Sequence, residues 1–481
     1  MVFSSITFIF FFLPIALLAY YSLVPLRNLT LFLLSLFFYT WGEVEFLFLL
    51  LLSISGNYLS GLWIGRYPQQ KMGAVALGVG ICFNLFLLIS FKYAHFLIGA
   101  LNLFWTLPGF PPLELESIHL PLGISFFTFQ AISYLVDVYR RDAPLERRPL
   151  TVALYIAMFP QLIAGPIVRF KEIVEQLHRR IHSLDKFATG IRWFSIGLGM
   201  KVVIANTLSG PADSIFGLAT RDLNASLAWL GAISYSLQIY FDFAGYSSMA
   251  IGLGLMLGFH LPQNFDYPYR ARSISEFWRR WHITLSQWFR DYLYIPLGGS
   301  RGGRKRTFFN LLLVFLLCGL WHGAAWNFLL WGLFHGLFLI AERLVPILKE
   351  GDRWKPLRHL YTLAAVLAGW VMFRCDSLDH TFAFWAALVG QGTGDGQAHH
   401  VGQFLRTDVL IALIGGALVS TDLLKKAWAR FTSRSRRSFP GFNRALGLGS
   451  WLQNVAIFLL FLLSTLMLST GTNNPFIYFR F

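Results

Sequence analysis

Apolar residues form long uncharged runs that recur along the whole chain. A helix needs about 20 mostly apolar residues to cross a bilayer, at a rise of about 1.5 Å per residue. Runs of this kind occupy residues 3–24, 29–41 with 46–64, 73–104, 120–138, 150–168, 189–208, 227–258, 307–341, 357–374, 408–424 and 451–470. The pattern predicts one integral-membrane domain over residues 1–481, an all-α polytopic protein with about ten to twelve transmembrane helices.

The longest uncharged run, residues 307–341, is too long for one membrane helix. As a straight helix its 35 residues would measure about 52 Å, whereas the hydrocarbon core is about 30 Å thick. The run is therefore predicted to break, either into two short helices that meet near the midplane or into a re-entrant hairpin. Glycines are the natural points for breaks and close packing, and here they are Gly319, Gly323, Gly332 and Gly336.

Residues 272–306 mix aromatic and basic side chains and differ from the apolar runs. Ser273 or Ser275 is a candidate N-cap, and Glu276 stands three residues after Ser273, as in a capping box. In one helix a single face would carry Trp278, His282, Leu285 and Phe289. The segment is predicted to be an amphipathic helix at the cytoplasmic interface, with its arginines toward lipid headgroups and a basic loop at 298–306.

The amino-acid composition also indicates a membrane protein. Of the 481 residues 56% are hydrophobic and only 13% are charged, with a mean hydropathy of +0.55, which excludes an ordinary soluble protein. In a soluble chain the net charge of +16 would suggest nucleic acid, but membrane proteins collect Lys and Arg in cytoplasmic loops, so no nucleic-acid partner is expected. The three cysteines form no CxxC motif, so neither a disulfide framework nor a zinc site is predicted.

The positions of the basic residues set an orientation. Basic clusters lie at 140–148, 179–186, 270–306, 349–358 and 425–444. The positive-inside rule assigns these clusters to the cytoplasmic side, and we expect loops 209–225 and 375–408 on the outer side.

Two histidines lie within residues 307–341. Because an ionisable group inside the bilayer is costly, about 2.5–3.5 kcal/mol for a charge, His322 is a functional candidate. The alternative is a histidine that hydrogen-bonds a neighbouring helix. His335 would support the site or simply line the second arm of the hairpin. Cys318 would share a helix face with His322; such a pair suits a covalent acyl-enzyme, although a thiol buried in apolar surroundings is usually inert.

Two further ionisable residues are candidates. His282 flanks the same basic loop as His322, so a helix entering the membrane would bring both imidazoles to one cavity; the alternative is an interfacial histidine at headgroup level. Asp242 is a carboxylate inside an apolar run. It would pair with an imidazole or an arginine, or hold the fold together.

Substrate contacts are predicted beside the histidines. A Gly-rich basic loop wraps phosphates well, so an acyl carrier such as coenzyme A would bind Arg301, Arg304, Lys305 and Arg306; the alternative is an ordinary basic loop. The other candidates for substrate contact are Trp278, Trp281, Trp321 and Asn327.

His178 and His182 have a spacing that could bind zinc from one helix face, but no Cys or carboxylate nearby completes a set of ligands, so no metal site is predicted.

Several stretches together resemble the membrane-bound O-acyltransferase (MBOAT) family, in its alginate-acetylating branch. They are SISEFWRRWHITLSQWFRDYLYIPLGGSRGG (273–303), LWHGAAWNFLLWGLFHG (320–336), IYFDFAGYSSMAIGLGLMLGF (239–259), FPQLIAGPIVRF (159–170) and NPFIYFRF (474–481). The first two motifs in combination are highly specific, and the likeness spans most of the chain.

The resemblance implies a bowl of transmembrane helices with short re-entrant and interfacial helices around a central tunnel. His322 matches the family's central histidine and His282 its second position, so the resemblance implies that both are catalytic, with His322 as the general base and His282 assisting it. The resemblance further implies a multi-pass protein of the bacterial inner membrane with no tightly bound cofactor. The acyl group would pass from a cytoplasmic thioester, acetyl-CoA, to an acceptor on the outer face. In this branch, periplasmic partner proteins with a Ser-His-Asp site then acetylate the polysaccharide.

The residue types fit this chemistry. Acyl transfer to a hydroxyl needs a base near neutral pH, and the imidazole, with an unperturbed pKa of about 6.5, is suited to it. Other acceptors in related branches are cellulose, peptidoglycan and, with D-alanine, teichoic acid.

Two hypotheses from other functional classes remain open at this point. One is a proton-coupled transporter, since intramembrane His and Asp also build proton relays. The other is a scaffold of a polysaccharide export complex.

Overall fold

The structure is a computed structural model that describes residues 1–107, 109–116, 118–345, 354–394, 396, 398–423, 425–426 and 443–471. Most of these residues are helical and none lies in a strand, which confirms the predicted all-α class. The α-helices, numbered α1 to α20, are Leu13–Ser22, Arg27–Thr40, Leu47–Arg66, Lys71–Leu88, Ala94–Trp105, Ile124–Arg140, Pro149–Ala157, Phe159–Leu162, Phe170–His178, Leu184–Gly199, Asn206–Phe216, Ala225–Met256, Ile274–Arg280, Ile283–Phe289, Gly303–His322, Trp326–Leu344, Lys355–Arg374, Leu378–Leu388, Thr407–Val419 and Asn443–Ser469. The motif at 474–481 lies outside the described residues.

Fewer helices than predicted are long and apolar enough on their own to cross a membrane. In the described ranges four qualify: Leu47–Arg66, Lys71–Trp105, Leu184–Phe216 and Trp451–Ser469. The pair Phe8–Ser22 and Val24–Thr40, bent by 105°, makes a fifth. By this measure the predicted count of about ten to twelve spans is not reached.

Two physical reasons account for the lower count. The predicted span 150–168 is not one helix, because Met158 leaves helical geometry with a ψ of 114° and a separate short helix, α8, begins at Phe159, with Pro160 in its first turn. Other helices face protein instead of lipid and therefore carry polar residues. Helix α12, for example, buries Gln238, Asp242 and Ser247, which lowers its hydropathy.

The run 307–341 is divided between α15 and α16, with a break over residues 323–325. His322 is the last residue of α15, and Gly323 is extended with φ −162° and ψ 149°. The two helices pack with their backbones in contact. A Cβ on Gly319 would collide with the carbonyl oxygen of Phe328, and one on Gly332 with that of Phe315. The glycines therefore set the distance between the helices of this hairpin.

Replacing Gly319 by leucine is expected to destabilise the protein, because a side chain there collides with backbone that cannot move aside. Overpacking of this kind costs about 1–3 kcal/mol or more. Thermal unfolding of the purified protein in detergent measures the effect. Gly78→Leu is the matched control, since Gly78 is a helical glycine with nothing within 4 Å of its Cβ position. Equal melting temperatures for the two variants would contradict the packing argument.

The segment predicted as one amphipathic helix over 272–297 is broken at its centre. Helix α13 ends at Arg280 and α14 begins at Ile283, because His282 between them is left-handed with a φ of +43°. Trp278 and His282 therefore do not share a face of one helix. Beyond α14, residues 290–294 form a π-helical turn, and Arg304 to Arg306 belong to the first turn of α15, not to a loop.

The start of α13 follows the predicted capping pattern and adds a tertiary contact. The Ser273 hydroxyl accepts a hydrogen bond from the backbone N–H of Glu276 at 2.9 Å, as an N-cap should. The Glu276 carboxylate returns to the N–H of Arg272 at 2.8 Å. The buried Glu342 carboxylate of α16 accepts from the N–H groups of Ile274 and Ser275. A carboxylate at this position favours the positive end of the helix and fixes α13 against the hairpin.

Helices α10 and α12 also pack closely, through two pairs of glycines. Gly190 faces Gly252 and Gly197 faces Gly245, so near that a Cβ on any of the four would meet backbone of the other helix. This pairing explains why the motif at 239–259 carries small residues at regular helical spacing. The π-helical segment Met200–Ala205, which continues α10, carries the buried Lys201.

Candidate active site

The His322 imidazole lies in an aromatic enclosure at the C-terminal end of α15. The side chain is buried, and its ring centroid lies 4.9 Å from that of Trp321, 5.1 Å from that of Trp331 and 5.3 Å from that of Phe373. These rings come from both helices of the hairpin and from α17. The enclosure leaves the imidazole few orientations, as a catalytic group requires.

Lys92 holds the backbone of this helix end. Its ammonium donates to the Trp321 carbonyl at 2.6 Å, to the His322 carbonyl at 3.4 Å and to the Ser125 hydroxyl at 3.2 Å. The neighbouring Tyr93 hydroxyl donates to the Leu320 carbonyl at 2.8 Å. The last carbonyls of a helix lack intrahelical partners, so a cation and a hydroxyl satisfy them here. Lys92 lies in the π-helical segment Ile89–Tyr93, a feature common at functional sites.

A cavity of about 360 Å³, the histidine cavity, reaches His322. Its wall is formed by Trp321, Lys92 and Glu43 together with the loop and helix start at 119–126. His119 lies at its exposed rim, with its Nε2 3.4 Å from a Glu43 carboxylate oxygen. The buried imidazole is therefore accessible to a small polar group from this side.

A second cavity of about 500 Å³, the arginine cavity, lies alongside α15. It is lined by apolar and aromatic residues, among them Trp278, Leu285, Phe315 and Cys318, and by three arginines: Arg279, Arg290 and Arg343. On α15 this cavity extends to Cys318, and the histidine cavity begins at Trp321. Cys318 and His322 are one turn apart, about 6 Å along the helix axis. The two cavities thus follow one another along one helix.

His282 is held by Asn264 beside the indole of Trp321. The His282 side chain is fully buried, and its Nδ1 lies 3.1 Å from the Asn264 Oδ1. Because this oxygen accepts, Nδ1 carries the proton and Nε2 carries the lone pair. Nε2 has no hydrogen-bond partner among the described residues. The His282 and Trp321 ring centroids are 5.8 Å apart, so Trp321 contacts both imidazoles.

The structure places the other four candidates for substrate contact in different surroundings. Trp278 lines the arginine cavity and donates from Nε1 to the Nδ1 of His335 at 3.4 Å, so His335 positions this indole. Trp321 lines the histidine cavity. Trp281 is packed against Trp370 and lines neither of the two cavities. Asn327 donates from its amide to the Cys375 carbonyl at 2.6 Å and so joins α16 to the end of α17.

The basic residues Arg301, Arg304, Lys305 and Arg306 are exposed at the N-terminal end of α15. Arg306 donates to the Leu297 carbonyl at 2.9 Å, which closes the Gly-rich turn. Sixteen residues separate Arg306 from His322, about 24 Å along the helix. The arginines that line the cavity next to the site are instead Arg279, Arg290 and Arg343.

Asp242 forms a buried ion pair with Lys201, at 2.7 Å, and the two side chains are 2% and 3% exposed. Its partner is thus a lysine, not the predicted imidazole or arginine.

His178 and His182 do not share a helix face, because α9 ends at His178 and Arg179 is extended with φ −134° and ψ 121°. His178 instead pairs with Glu146 at 2.6 Å.

Sequence reasoning missed three residues of the site. Lys92 is an ionisable residue in a predicted apolar span, so the rule that identified His322 applies to it equally. Arg343 lies two residues after the uncharged run 307–341 and is as basic as the loop arginines that were selected as substrate contacts. Asn264 gives no signal in the sequence, since it lies in a polar loop and acquires its role only through contact with His282 and Thr284.

Comparison with known proteins is consistent with this geometry. Residues 144–383 match the membrane-bound O-acyltransferase family. Over the full length of both chains, the protein is 41% identical to a probable alginate O-acetylase AlgI of Azotobacter vinelandii and 42% identical to one of Pseudomonas putida. It is 39% identical to a peptidoglycan O-acetyltransferase of Helicobacter pylori over 81% of this chain and 80% of that protein. The chain therefore belongs to the membrane-bound O-acyltransferase family.

Proposed function

We propose that the protein transfers an acetyl group from cytoplasmic acetyl-CoA to a hydroxyl acceptor at the outer face of the bacterial inner membrane, for O-acetylation of an exopolysaccharide, most simply alginate. The observation that carries this proposal is a buried imidazole reached by one cavity, with a second cavity ending one helical turn away. The likeness to alginate O-acetylases over the full chain supports the acceptor.

In this proposal His322 is the general base. Its imidazole takes the proton of the acceptor hydroxyl while the hydroxyl oxygen bonds to the thioester carbonyl carbon. The tetrahedral intermediate then collapses, the carbon–sulfur bond breaks, and the proton passes from the imidazolium to the departing thiolate. The aromatic enclosure keeps bulk water from the thioester, which limits hydrolysis.

Lys92 and His282 act in this proposal as positioning residues. The Lys92 ammonium already donates to three oxygens, which uses its three N–H groups, so it fixes the end of α15 and donates nothing to substrate. The His282 imidazole packs against the Trp321 indole, which also contacts His322, and so helps to fix the position of that indole.

The arginine cavity is the proposed donor entrance. Its arginines match the phosphates of coenzyme A, and its apolar walls match the uncharged arm that carries the thioester. The basic clusters predicted on the cytoplasmic side include Arg279 and Arg290, which agrees with a cytoplasmic donor. The histidine cavity then serves the acceptor hydroxyl, supplied by the polymer or by a periplasmic Ser-His-Asp partner protein.

Removing two arginines of this cavity is expected to weaken donor binding. Each hydrogen bond from a guanidinium to a phosphate contributes about 1.5–3 kcal/mol, so Arg279→Gln/Arg343→Gln should raise the dissociation constant for acetyl-CoA at least about tenfold. Equilibrium dialysis of labelled acetyl-CoA against the purified protein measures this without any acceptor.

The matched control is Arg221→Gln, because this arginine is exposed and is not among the residues that line the cavity. It should bind acetyl-CoA as the unchanged protein does. If the double variant binds as tightly as this control, the donor enters elsewhere, and the loop residues Arg301 to Arg306 become the next candidates.

A peptidoglycan acceptor is the second candidate, and the 39% identity to the peptidoglycan O-acetyltransferase favours it. The two acceptors are distinguished by which polymer loses ester-linked acetate when the gene is deleted. Loss from peptidoglycan with exopolysaccharide unchanged would replace alginate in the proposal and leave the chemistry at His322 as described.

A further inference from the structure

A cationic cavity lies at the bend between α1 and α2, away from the active site. It has a volume of about 730 Å³ and is lined by residues 24–25 and 27–28 and by the segment His178–His182. Among these lining residues are the guanidinium groups of Arg27, Arg179 and Arg180, and no carboxylate. We call it the bend cavity.

Hydrogen bonds hold the bend cavity in a defined arrangement. The Tyr20 hydroxyl donates to the Leu257 carbonyl at 2.8 Å, so it accepts from the Arg180 Nε at 3.1 Å and from the His182 Nε2 at 3.0 Å. With its proton on Nε2, His182 presents a lone pair on Nδ1. That atom accepts from Arg27 Nη1 at 3.4 Å. The neutral imidazole and the Tyr20 hydroxyl thus connect Arg27 to Arg180.

Aromatic faces support the two guanidinium groups. Arg27 lies 5.5 Å from the centroid of Tyr20, and Arg180 lies 4.4 Å from that of Phe259. Burial, with Arg27 and Arg180 close by, lowers the pKa of His182 below its ordinary value, which agrees with the neutral form. The Nε atom of Arg27 is buried without a hydrogen-bond partner among the described residues. Neighbouring cations fixed in this way repel one another unless an anion joins them.

We infer that the bend cavity binds the phosphate of an anionic phospholipid headgroup. Planar guanidinium groups bind phosphate oxygens in pairs, and Arg27 and Arg180 are already oriented by their neighbours. An anion between them would satisfy the remaining N–H groups and offset the concentrated positive charge. This site is independent of acetyl transfer at His322.

The apolar rim of the cavity favours a lipid over a free phosphate ion. Two lining residues are large, apolar and exposed, Val24 at 53% and Ile181 at 76%. Exposed leucines lie within two residues of the lining segments in the chain: Leu23 at 46%, Leu26 at 51% and Leu184 at 88%. A phosphate beside such a surface allows the attached acyl chains to cover it. The cluster 179–186 is also among those assigned to the cytoplasmic side, where anionic lipids attract basic residues.

The test is ligand-dependent thermal stability of the full-length protein in neutral detergent. A ligand that binds only the folded state raises the melting temperature as its concentration passes its dissociation constant. We expect short-chain phosphatidylglycerol to raise the melting temperature and short-chain phosphatidylcholine to leave it unchanged. In Arg27→Gln/Arg180→Gln the apparent affinity for phosphatidylglycerol should fall at least about tenfold.

Arg406→Gln is the control, since it removes an exposed arginine from another part of the surface and should keep the full response. If the double variant does not fold, Arg27→Lys replaces it; this variant keeps the charge but loses the planar fork, and should show a weakened response. Equal stabilisation by phosphatidylcholine, or a full response in the Arg27 variants, would overturn the site. An equal response to inorganic phosphate alone would overturn the assignment to a lipid.

Discussion

Replacing His322 by alanine is expected to lower acetyl transfer by about 10²–10⁴-fold, the usual contribution of a general base, while the protein remains folded. The fold is expected to survive because Lys92 and Tyr93 bind carbonyl groups of α15, which alanine retains. The measurement is ester-linked acetate in the exopolysaccharide of cells that carry only the variant, together with the amount and melting temperature of the purified protein.

Two controls test whether the loss is specific to His322 and to acetyl transfer. His400→Ala removes an exposed histidine and should leave acetylation unchanged. Dissipating the proton gradient across membrane vesicles supplied with labelled acetyl-CoA should also leave the transfer step unchanged, whereas a proton-coupled transporter would stop. Normal acetylation by His322→Ala would remove the general base from the proposal and return His322 to a packing role.

Replacing Asp242 by alanine is expected to destabilise the protein by about 3–5 kcal/mol, because it leaves the buried Lys201 without its carboxylate partner. The cost arises from a charge confined where water does not reach. Thermal unfolding in detergent and the yield of folded protein measure it.

The double variant Lys201→Met/Asp242→Leu provides the decisive comparison. Removing both charges and keeping similar volume eliminates the uncompensated ion, so most of the lost stability should return. If the two substitutions destabilise additively, the pair contributes nothing as a pair, and Asp242 must act through another contact. A catalytic role for Asp242 would instead appear as lost acetylation in a double variant that folds normally.

The helical class, the break in the run 307–341 and the burial of an imidazole at that break could be predicted from the sequence, because each follows from a strong local signal. A run of thirty-five uncharged residues is too long for one membrane span. An imidazole within such a run is unfavourable unless it has a polar partner or a function. The N-cap at Ser273 was equally local. The family resemblance was confirmed by the comparison with known proteins.

What the sequence could not indicate depends on contacts between distant segments. The helical periodicity of residues 272–297 gave no sign of a break at His282, which becomes left-handed because Asn264, eighteen residues earlier, binds its Nδ1 and the turn that follows. Asp242 forms its ion pair with Lys201 because α10 and α12 approach each other closely at paired glycines. For the same reason fewer described helices qualify as spans by length and hydropathy alone, since helices that face protein carry polar residues.

The contact between Gly319 and Phe328 and that between Gly332 and Phe315 also bear on which acyl groups the enzyme accepts. Two helices joined backbone to backbone cannot slide or spread to admit a longer chain. We expect chain-length selectivity to be set by the opposite wall, where Ile283 and Leu285 meet the cavity. Relatives that carry larger acyl groups would then differ in the side chains of that wall and keep the glycines of the hairpin.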